Sequence, residues 1–106
     1  MKELSKAEEM VLLAIWRLGE NAYGVPVRAE IKKTTRKNYT YGTLYGLLRQ
    51  LAHKGYVEKH KGDPLPRKGG RGRTYFRLTV SGIRALKDSW DLHKRMWKDM
   101  HKYSFD

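Results

Sequence analysis

The sequence predicts a mainly α-helical fold with one small β-hairpin. Three observations lead to this prediction. Apolar residues recur at helical spacing in the first half of the 106-residue chain, a strand-like period follows residue 55, and helical spacing returns after residue 78. A chain of this length has room for one small core. We therefore expect a domain over residues 1–78 and a separate C-terminal helix over residues 79–106.

The first predicted helix begins after Ser5, in the segment Ser5-Lys6-Ala7-Glu8. This segment is a capping box, in which the serine and the glutamate side chains each bind a free backbone N–H group. The helix should end near Leu18, before Gly19. One apolar stripe faces the core, but Leu12 and Trp16 lie on the opposite side. They are either scattered exposed side chains or a second surface that another part of the chain, or a second copy of it, covers.

A second helix should follow the turn Tyr23-Gly24-Val25-Pro26 and end around Thr34. A short basic connection over residues 35–39 comes next. Thr40 is then placed to cap a third helix.

The third helix, over residues 40–55, combines a narrow apolar stripe with an unusual polar face. The stripe consists of Leu44, Leu47, Leu48 and Leu51. The outward face includes Gly42 and Gly46, although a glycine inside a helix costs roughly 0.5 to 1 kcal/mol relative to alanine. Either a partner such as a DNA groove approaches the backbone closely here, or the two glycines are merely tolerated.

The predicted hairpin consists of strands at residues 56–61 and 74–78, joined by a basic tip that is rich in glycine and proline. Three helices followed by a hairpin is the order of a winged helix-turn-helix. In that fold the third helix enters the major groove of DNA, and the hairpin reaches the backbone or the minor groove.

The charge distribution supports a nucleic-acid partner. The net charge is +12, and residues 21–77 alone carry +11 from fourteen basic and three acidic side chains. Such a block favours binding to a polyanion, although a solvated basic surface is the alternative. We expect four residues to read bases: Tyr41, Thr43, Tyr45 and Arg49. Thr40, the expected cap, belongs to the same DNA-binding set. We expect the remaining residues to hold phosphates or a minor groove: Arg36, Lys37, Arg67, Lys68, Arg71 and Arg73.

The last predicted helix runs from Thr79 to about Ser104 and carries a heptad seam. Its roughly 26 residues would extend some 39 Å, farther than one small domain can cover. The helix therefore either folds back on its own domain or pairs with a second copy of the chain, and we favour a homodimer. The predicted interface residues are Leu12, Trp16, Ile83, Leu86, Trp90, His93, Trp97 and Met100.

Other functional classes find little support. The chain has no cysteine, and its four histidines lack metal-ligand spacing, so we expect no metal and no cofactor. No paired general acid and base stands out, which argues against an enzyme. No apolar run approaches the roughly 20 residues of a membrane span. We expect a cytoplasmic protein without a membrane partner.

Several segments resemble the PadR family of transcriptional regulators. They are Tyr23-Gly24, Gly42-Thr43-Leu44-Tyr45, Gly55-Tyr56-Val57-Glu58 and the run from Gly69 to Gly82. The resemblance implies a dimeric winged-helix repressor that dimerises through its C-terminal helix, with a small aromatic ligand in some members. Departures from the family pattern occur at Val25-Pro26-Val27, Tyr41, Gly46 and Gly72, so the second helix and the hairpin can be set differently here.

We therefore predict a sequence-specific DNA-binding repressor that binds a palindromic operator as a homodimer. Trp16, Trp90 and Trp97 are candidates for a slot between the copies that takes a planar aromatic effector, although simple packing would explain them too. One alternative is a sequence-tolerant architectural protein that binds DNA or RNA. A further alternative is a protein-binding adaptor with the same fold.

Overall fold

The computed structural model describes residues 3–62 and 73–100. In chain order the elements are α1 (Lys6–Leu18), a 3-10 turn (Gly19–Asn21), α2 (Gly24–Thr35), α3 (Tyr41–His53), β1 (Val57–Lys61), β2 (Thr74–Leu78) and α4 (Val80–Trp97). The predicted fold class, three helices followed by a hairpin and a final helix, is confirmed. Residues 63–72, which include most of the predicted hairpin tip, lie outside the described residues.

The helix α1 lies at the centre of the fold. Its capping box forms as predicted: the Glu8 backbone N–H donates to Ser5 Oγ at 3.1 Å, and the Ser5 N–H donates to Glu8 Oε1 at 2.8 Å. Gly19 ends the helix with a positive φ of 59°. The helices α2, α3 and α4 and the strand β2 all pack against α1.

This central position explains why one interface prediction is wrong. Leu12 is fully buried in the core of its own chain, so no partner can reach it. The sequence pattern could not show that the chain itself covers α1 on several sides. Trp16, in contrast, is 65% exposed, as an outward position requires.

The hairpin is antiparallel, with Val57 opposite Leu78 and Lys61 opposite Thr74. A feature that the sequence did not suggest ties it to the start of α2. The Phe76 N–H donates to the Ala22 carbonyl at 2.8 Å, and a single β-bridge joins Tyr23 to Tyr75. The hairpin is therefore held at a defined distance from α2 and α3.

The first turn of α4 is bound tightly to the domain. Thr79 caps it by accepting from the Gly82 N–H at 3.0 Å, and the Thr79 hydroxyl also donates to the Gly55 carbonyl at 2.6 Å. Gly82 lies so close to the Tyr56 carbonyl that any side chain there would collide with it.

The predicted extension of α4 to Ser104 is wrong, because the helix ends at Trp97. Lys98 adopts extended backbone angles, and Asp99 has a positive φ of 75°. Met100 thus lies beyond the helix, and its predicted place in the helical seam is wrong. In α4 only Gly82 and Ala85 are buried, so its far half gains little from tertiary packing, which normally stabilises a helix. The 18 helical residues extend about 27 Å.

Among the described residues, the helices are all too short or too polar to cross a lipid bilayer.

Candidate nucleic-acid interface

A cleft of about 1150 Å³ lies between the outer face of α3 and the hairpin. The aromatic rings of Tyr23, Tyr45 and Phe76 contribute to its walls. The basic side chains that line it are Arg49 and His53 of α3, Lys59 of β1, and Arg73, which precedes β2. None of its lining residues in the described part of the chain is acidic. The cleft is therefore suited to a polyanion rather than a cation.

Arg73 is held in place by an aromatic ring. Its guanidinium carbon lies 4.5 Å from the centroid of the Tyr23 ring, which is close enough for a cation–π interaction. Tyr23 in turn meets Tyr75 edge to face, with 5.5 Å between the ring centroids. The charge of Arg73 thus has a defined position in the lining of the cleft.

On the outer face of α3, the predicted base-reading residues occupy different settings. Arg49 is exposed. If a Cβ atom were added to Gly46, its nearest neighbour would be Arg49 Nη2, at a distance of 4.0 Å. Gly46 therefore leaves an open depression in the helix surface. Thr43 is exposed, and both its backbone N–H and its hydroxyl bind the Thr40 hydroxyl, at 3.1 and 3.0 Å. Thr40 is confirmed as the cap of α3.

The two tyrosines of α3 form a pair. Tyr41 is 41% exposed and Tyr45 is 40% exposed, and their rings stack with 6.4 Å between centroids. The hydroxyl of Tyr45 lies directly against the backbone of Gly24, where any side chain would collide with it. Tyr45 thus packs on α2 with its polar end and presents only part of its ring to solvent.

Apart from Arg73, the predicted phosphate-binding residues fall into two groups. Arg36 and Lys37 are exposed in the connection between α2 and α3. Arg36 ends α2 with a left-handed φ of 66°, and its N–H donates to the Lys32 carbonyl at 2.8 Å. Arg67, Lys68 and Arg71 lie outside the described residues.

Two basic residues of the cleft, Lys59 and His53, were not among the predicted contacts. Lys59 projects from β1 between Glu58 and His60, and an alternation of faces along the strand could have indicated it. Glu58 itself forms an ion pair with Arg77 at 2.8 Å and does not line the cleft. In the described part of the chain, no cluster of three or more metal-binding side chains occurs.

Comparison with known proteins agrees with this geometry. The model of the transcriptional regulator PadR-like family matches residues 12–88. The chain belongs to the PadR-like family. The predicted resemblance is therefore confirmed, and with it the class of DNA-binding transcriptional regulators rather than enzymes.

Solved structures with the same fold include a PadR-like transcriptional regulator and a winged-helix DNA-binding protein. RosR of H. salinarum is 22% identical with a TM-score of 0.73, covering 92% of this chain and 81% of that one. A PadR-like transcriptional regulator from Bacillus cereus is 21% identical with a TM-score of 0.68, over 92% and 93% of the two chains. A winged-helix DNA-binding protein from STIV is 18% identical with a TM-score of 0.68, over 92% and 98%. No curated protein matches the chain.

In this PadR-like regulator, the predicted seam of α4 lies largely on the surface. Ile83 is 55% exposed, Trp90 57% and Trp97 50%. His93 stacks between the two tryptophans, with centroid distances of 5.8 and 5.4 Å. Leu86 is the exception, because it packs partly against the core of its own chain.

Proposed function

We propose that this protein is a homodimeric repressor that binds a palindromic operator and inserts α3 of each protomer into the major groove. The observation that carries the proposal is the cleft beside the exposed face of α3, where Arg49, Lys59 and Arg73 come together and the described lining residues include no acidic side chain. In helix-turn-helix folds the recognition helix is the element that enters the major groove, and α3 holds that place in this chain. Such a protein would act in the cytoplasm, beside its operator.

Within this interface, we assign base reading to the outer face of α3 and phosphate binding to its surroundings. Tyr41, Thr43 and Arg49 lie at the start and outer face of the helix, from which side chains reach base edges. Tyr45 contributes the exposed part of its ring. The phosphate-binding set consists of Arg36, Lys37, Lys59 and Arg73, together with the predicted contacts Arg67, Lys68 and Arg71, which lie outside the described residues.

The dimer would form through α4. Ile83, Trp90 and Trp97 recur at heptad spacing and are each at least half exposed in the protomer. Large aromatic side chains of this kind are the ones that carry most of the binding energy in protein interfaces. A two-fold axis through α4 would set the separation of the two α3 helices, which must be about 34 Å for successive major grooves.

A planar aromatic ligand could act on that separation. Trp16, Trp90 and Trp97 are the exposed rings available to line a slot between the two copies. A ligand that binds better to a dimer with the wrong spacing would release the operator by shifting the population, and only by as much as it discriminates between the two states. Tryptophan fluorescence and operator affinity, followed together during a titration with planar phenolics and aromatic cations, test this part.

Selection of duplexes from a random DNA pool at physiological salt tests the main proposal. We expect enrichment of a palindrome whose half-sites are about one helical turn apart. Uniform recovery of all sequences would instead favour the sequence-tolerant architectural protein, and preferential recovery of RNA from a mixed pool would favour an RNA-binding protein. Failure to retain any nucleic acid would favour an adaptor.

A further inference from the structure

Arg28 of α2 links the helix to the segment that leads into α3. Its Nε donates to the Tyr39 carbonyl, and its Nη2 donates to Asn38 Oδ1 at 2.9 Å. Both acceptors lie just before Thr40, the cap of α3. One rigid guanidinium therefore holds two successive residues at the entrance to the helix.

The same guanidinium also touches the first residue of α3. Its central carbon lies 4.8 Å from the centroid of the Tyr41 ring, within the range of a cation–π interaction. Two positions one turn apart on α2, Gly24 and Arg28, thus face two positions one turn apart on α3, Tyr45 and Tyr41. The stacked tyrosine pair rests on α2 at both ends.

We propose that Arg28 is a positioning residue that sets the orientation of Tyr41 and so contributes to operator specificity. This inference rests on the proposed function, because it assumes that Tyr41 reads bases. The N-terminal residues of the third helix are the ones that reach base edges in this class of fold. A ring that is held before DNA arrives loses less conformational freedom on binding than a mobile one.

The competing role for Arg28 is direct contact with a phosphate. It is half-buried, its hydrogen bonds to Tyr39 and Asn38 go to uncharged acceptors, and its charge lies over the Tyr41 ring at the start of α3. A phosphate contact strengthens binding to all sequences alike and adds about one to the salt slope. A positioning role affects the preference between sequences instead. The two roles therefore differ in a measurable way.

The test compares Arg28→Lys and Arg28→Gln with the wild type on the selected operator and on a scrambled duplex. Lysine keeps the charge but cannot form the planar fork, whereas glutamine removes the charge as well. For a positioning role, we expect both variants to lower the ratio of operator to scrambled affinity by about tenfold, with the scrambled affinity and the salt slope unchanged. Arg84→Lys, at an exposed position of α4, is the matched control and should keep the wild-type ratio.

Two further variants separate positioning from loss of folding. Asn38→Ala removes one exposed acceptor of the fork and should lower the ratio by a smaller factor while the thermal midpoint stays unchanged. In a Tyr41→Ala background, Arg28→Lys should cause no additional loss of discrimination, since the residue that it positions is gone. Additive losses in that double variant would overturn the proposal.

The outcomes also distinguish this inference from the proposed function. If the wild type discriminates between the duplexes and Arg28→Lys retains the full ratio, only the role of Arg28 is wrong. If Arg28→Lys behaves as the wild type while Arg28→Gln weakens binding to both duplexes and lowers the salt slope, Arg28 is a phosphate contact. If the wild type itself binds the operator and the scrambled duplex equally well, the proposed function is wrong, and so is the proposed role of Arg28.

Discussion

The helices α3 and α4 both carry exposed aromatic side chains, but the domain holds them differently. At its start, α3 is held by Arg28, and just after its end Lys54 forms an ion pair with Glu8 of α1 at 2.7 Å. The helix α4 is held near its start, where Gly82 packs on Tyr56, and midway, where the Ser89 hydroxyl binds Glu9 at 3.2 Å. Its C-terminal part lies at the surface.

The aromatic rings of α3 and α4 also differ in how firmly the rest of the chain holds them. On α3, the tyrosine pair packs against Gly24 and Arg28 of α2, so its orientation is determined within one chain. On α4, Trp90, His93 and Trp97 stack along the helix surface while both tryptophans remain at least half exposed. The first surface has the fixed geometry that a reader of DNA needs. The second has the exposed aromatic area that a protein interface needs.

The largest expected effect concerns the α4 surface. Trp90→Ala should weaken dimerisation by about 2 to 4 kcal/mol, or roughly 30-fold to 1000-fold, because a central aromatic side chain dominates an interface of this kind. Sedimentation equilibrium over a range of protein concentrations measures the change. Met96→Ala is the control, since Met96 is 75% exposed on the same helix but outside the seam. If the Trp90→Ala protein dimerised as tightly as the wild type, the prediction that α4 forms the interface would be contradicted.

The next effect concerns the depression at Gly46. Gly46→Leu should lower operator affinity by about 100-fold, because the leucine would keep α3 from approaching the groove, while the helix stays formed. The protein has room for a side chain at this position, because a Cβ atom added to Gly46 would be 4.0 Å from its nearest neighbour, Arg49 Nη2. Binding titrations and circular dichroism report the two quantities. Ala29→Leu, on the exposed side of α2, controls for added bulk, and a folded Gly46→Leu protein with normal affinity would contradict the prediction.

Substitutions of Arg49 and Arg73 should have different effects on DNA binding. Arg49→Ala should relax sequence preference by about 1 to 3 kcal/mol at one base pair, because Arg49 lies on the outer face of α3. Arg73→Ala should weaken binding to all sequences alike and lower the salt slope by about one, because Arg73 lines the cleft as a proposed phosphate contact and is held there by Tyr23. Affinities for single-substitution operator variants at several salt concentrations separate the two effects. If the two variants showed the same sequence preference and the same salt slope, the assignment of Arg49 to base reading and Arg73 to phosphate binding would be wrong.

The smallest expected effect concerns the anchor at the C-terminal end of α3. Burial alone would raise the pKa of Glu8. The hydrogen bonds that its carboxylate accepts from Lys54 and Ser5, together with the positive charge of Lys54, have the larger combined effect and lower the pKa below its usual value of 4.5. Glu8→Gln should therefore destabilise the protein at neutral pH by about 1 kcal/mol, since the partly exposed Lys54 can still reach water.

The pH dependence follows from the direction of this shift. A carboxylate with a lowered pKa stabilises the folded state above pH 4.5, and that contribution is lost as the pH falls through the folded-state pKa. Urea unfolding at neutral pH and at about pH 3 should show the difference between wild type and Glu8→Gln shrinking in acid. A difference that stays constant with pH would mean that the charge of Glu8 contributes nothing.

Local signals predicted the elements and most of their ends, but not the C-terminal end of α4. Ser5 and Thr40 cap their helices as expected, and Gly19 ends α1. These features depend on hydrogen bonds between residues about three apart, so a short stretch of sequence contains both partners. The change from helical to strand period likewise predicted the hairpin.

Interactions between distant residues were not predictable in this way. Arg28 meets residues ten and eleven positions away, and Lys54 meets Glu8 across 46 positions. Neither pair follows a local period, because the packing of one helix on another brings the partners together. The tyrosines of α3 could be expected on an outer face, but their support by Gly24 and Arg28 could not.

The sequence by itself therefore determined the order of elements, the helix caps, the basic middle of the chain and the exposed α3 face, because these depend on composition and on short-range spacing. Only the tertiary structure decided that Leu12 is a core residue and that α4 ends at Trp97. Both outcomes depend on which surfaces the rest of the chain covers. A helical pattern shows that a face is apolar, but only the packed fold shows what lies against it.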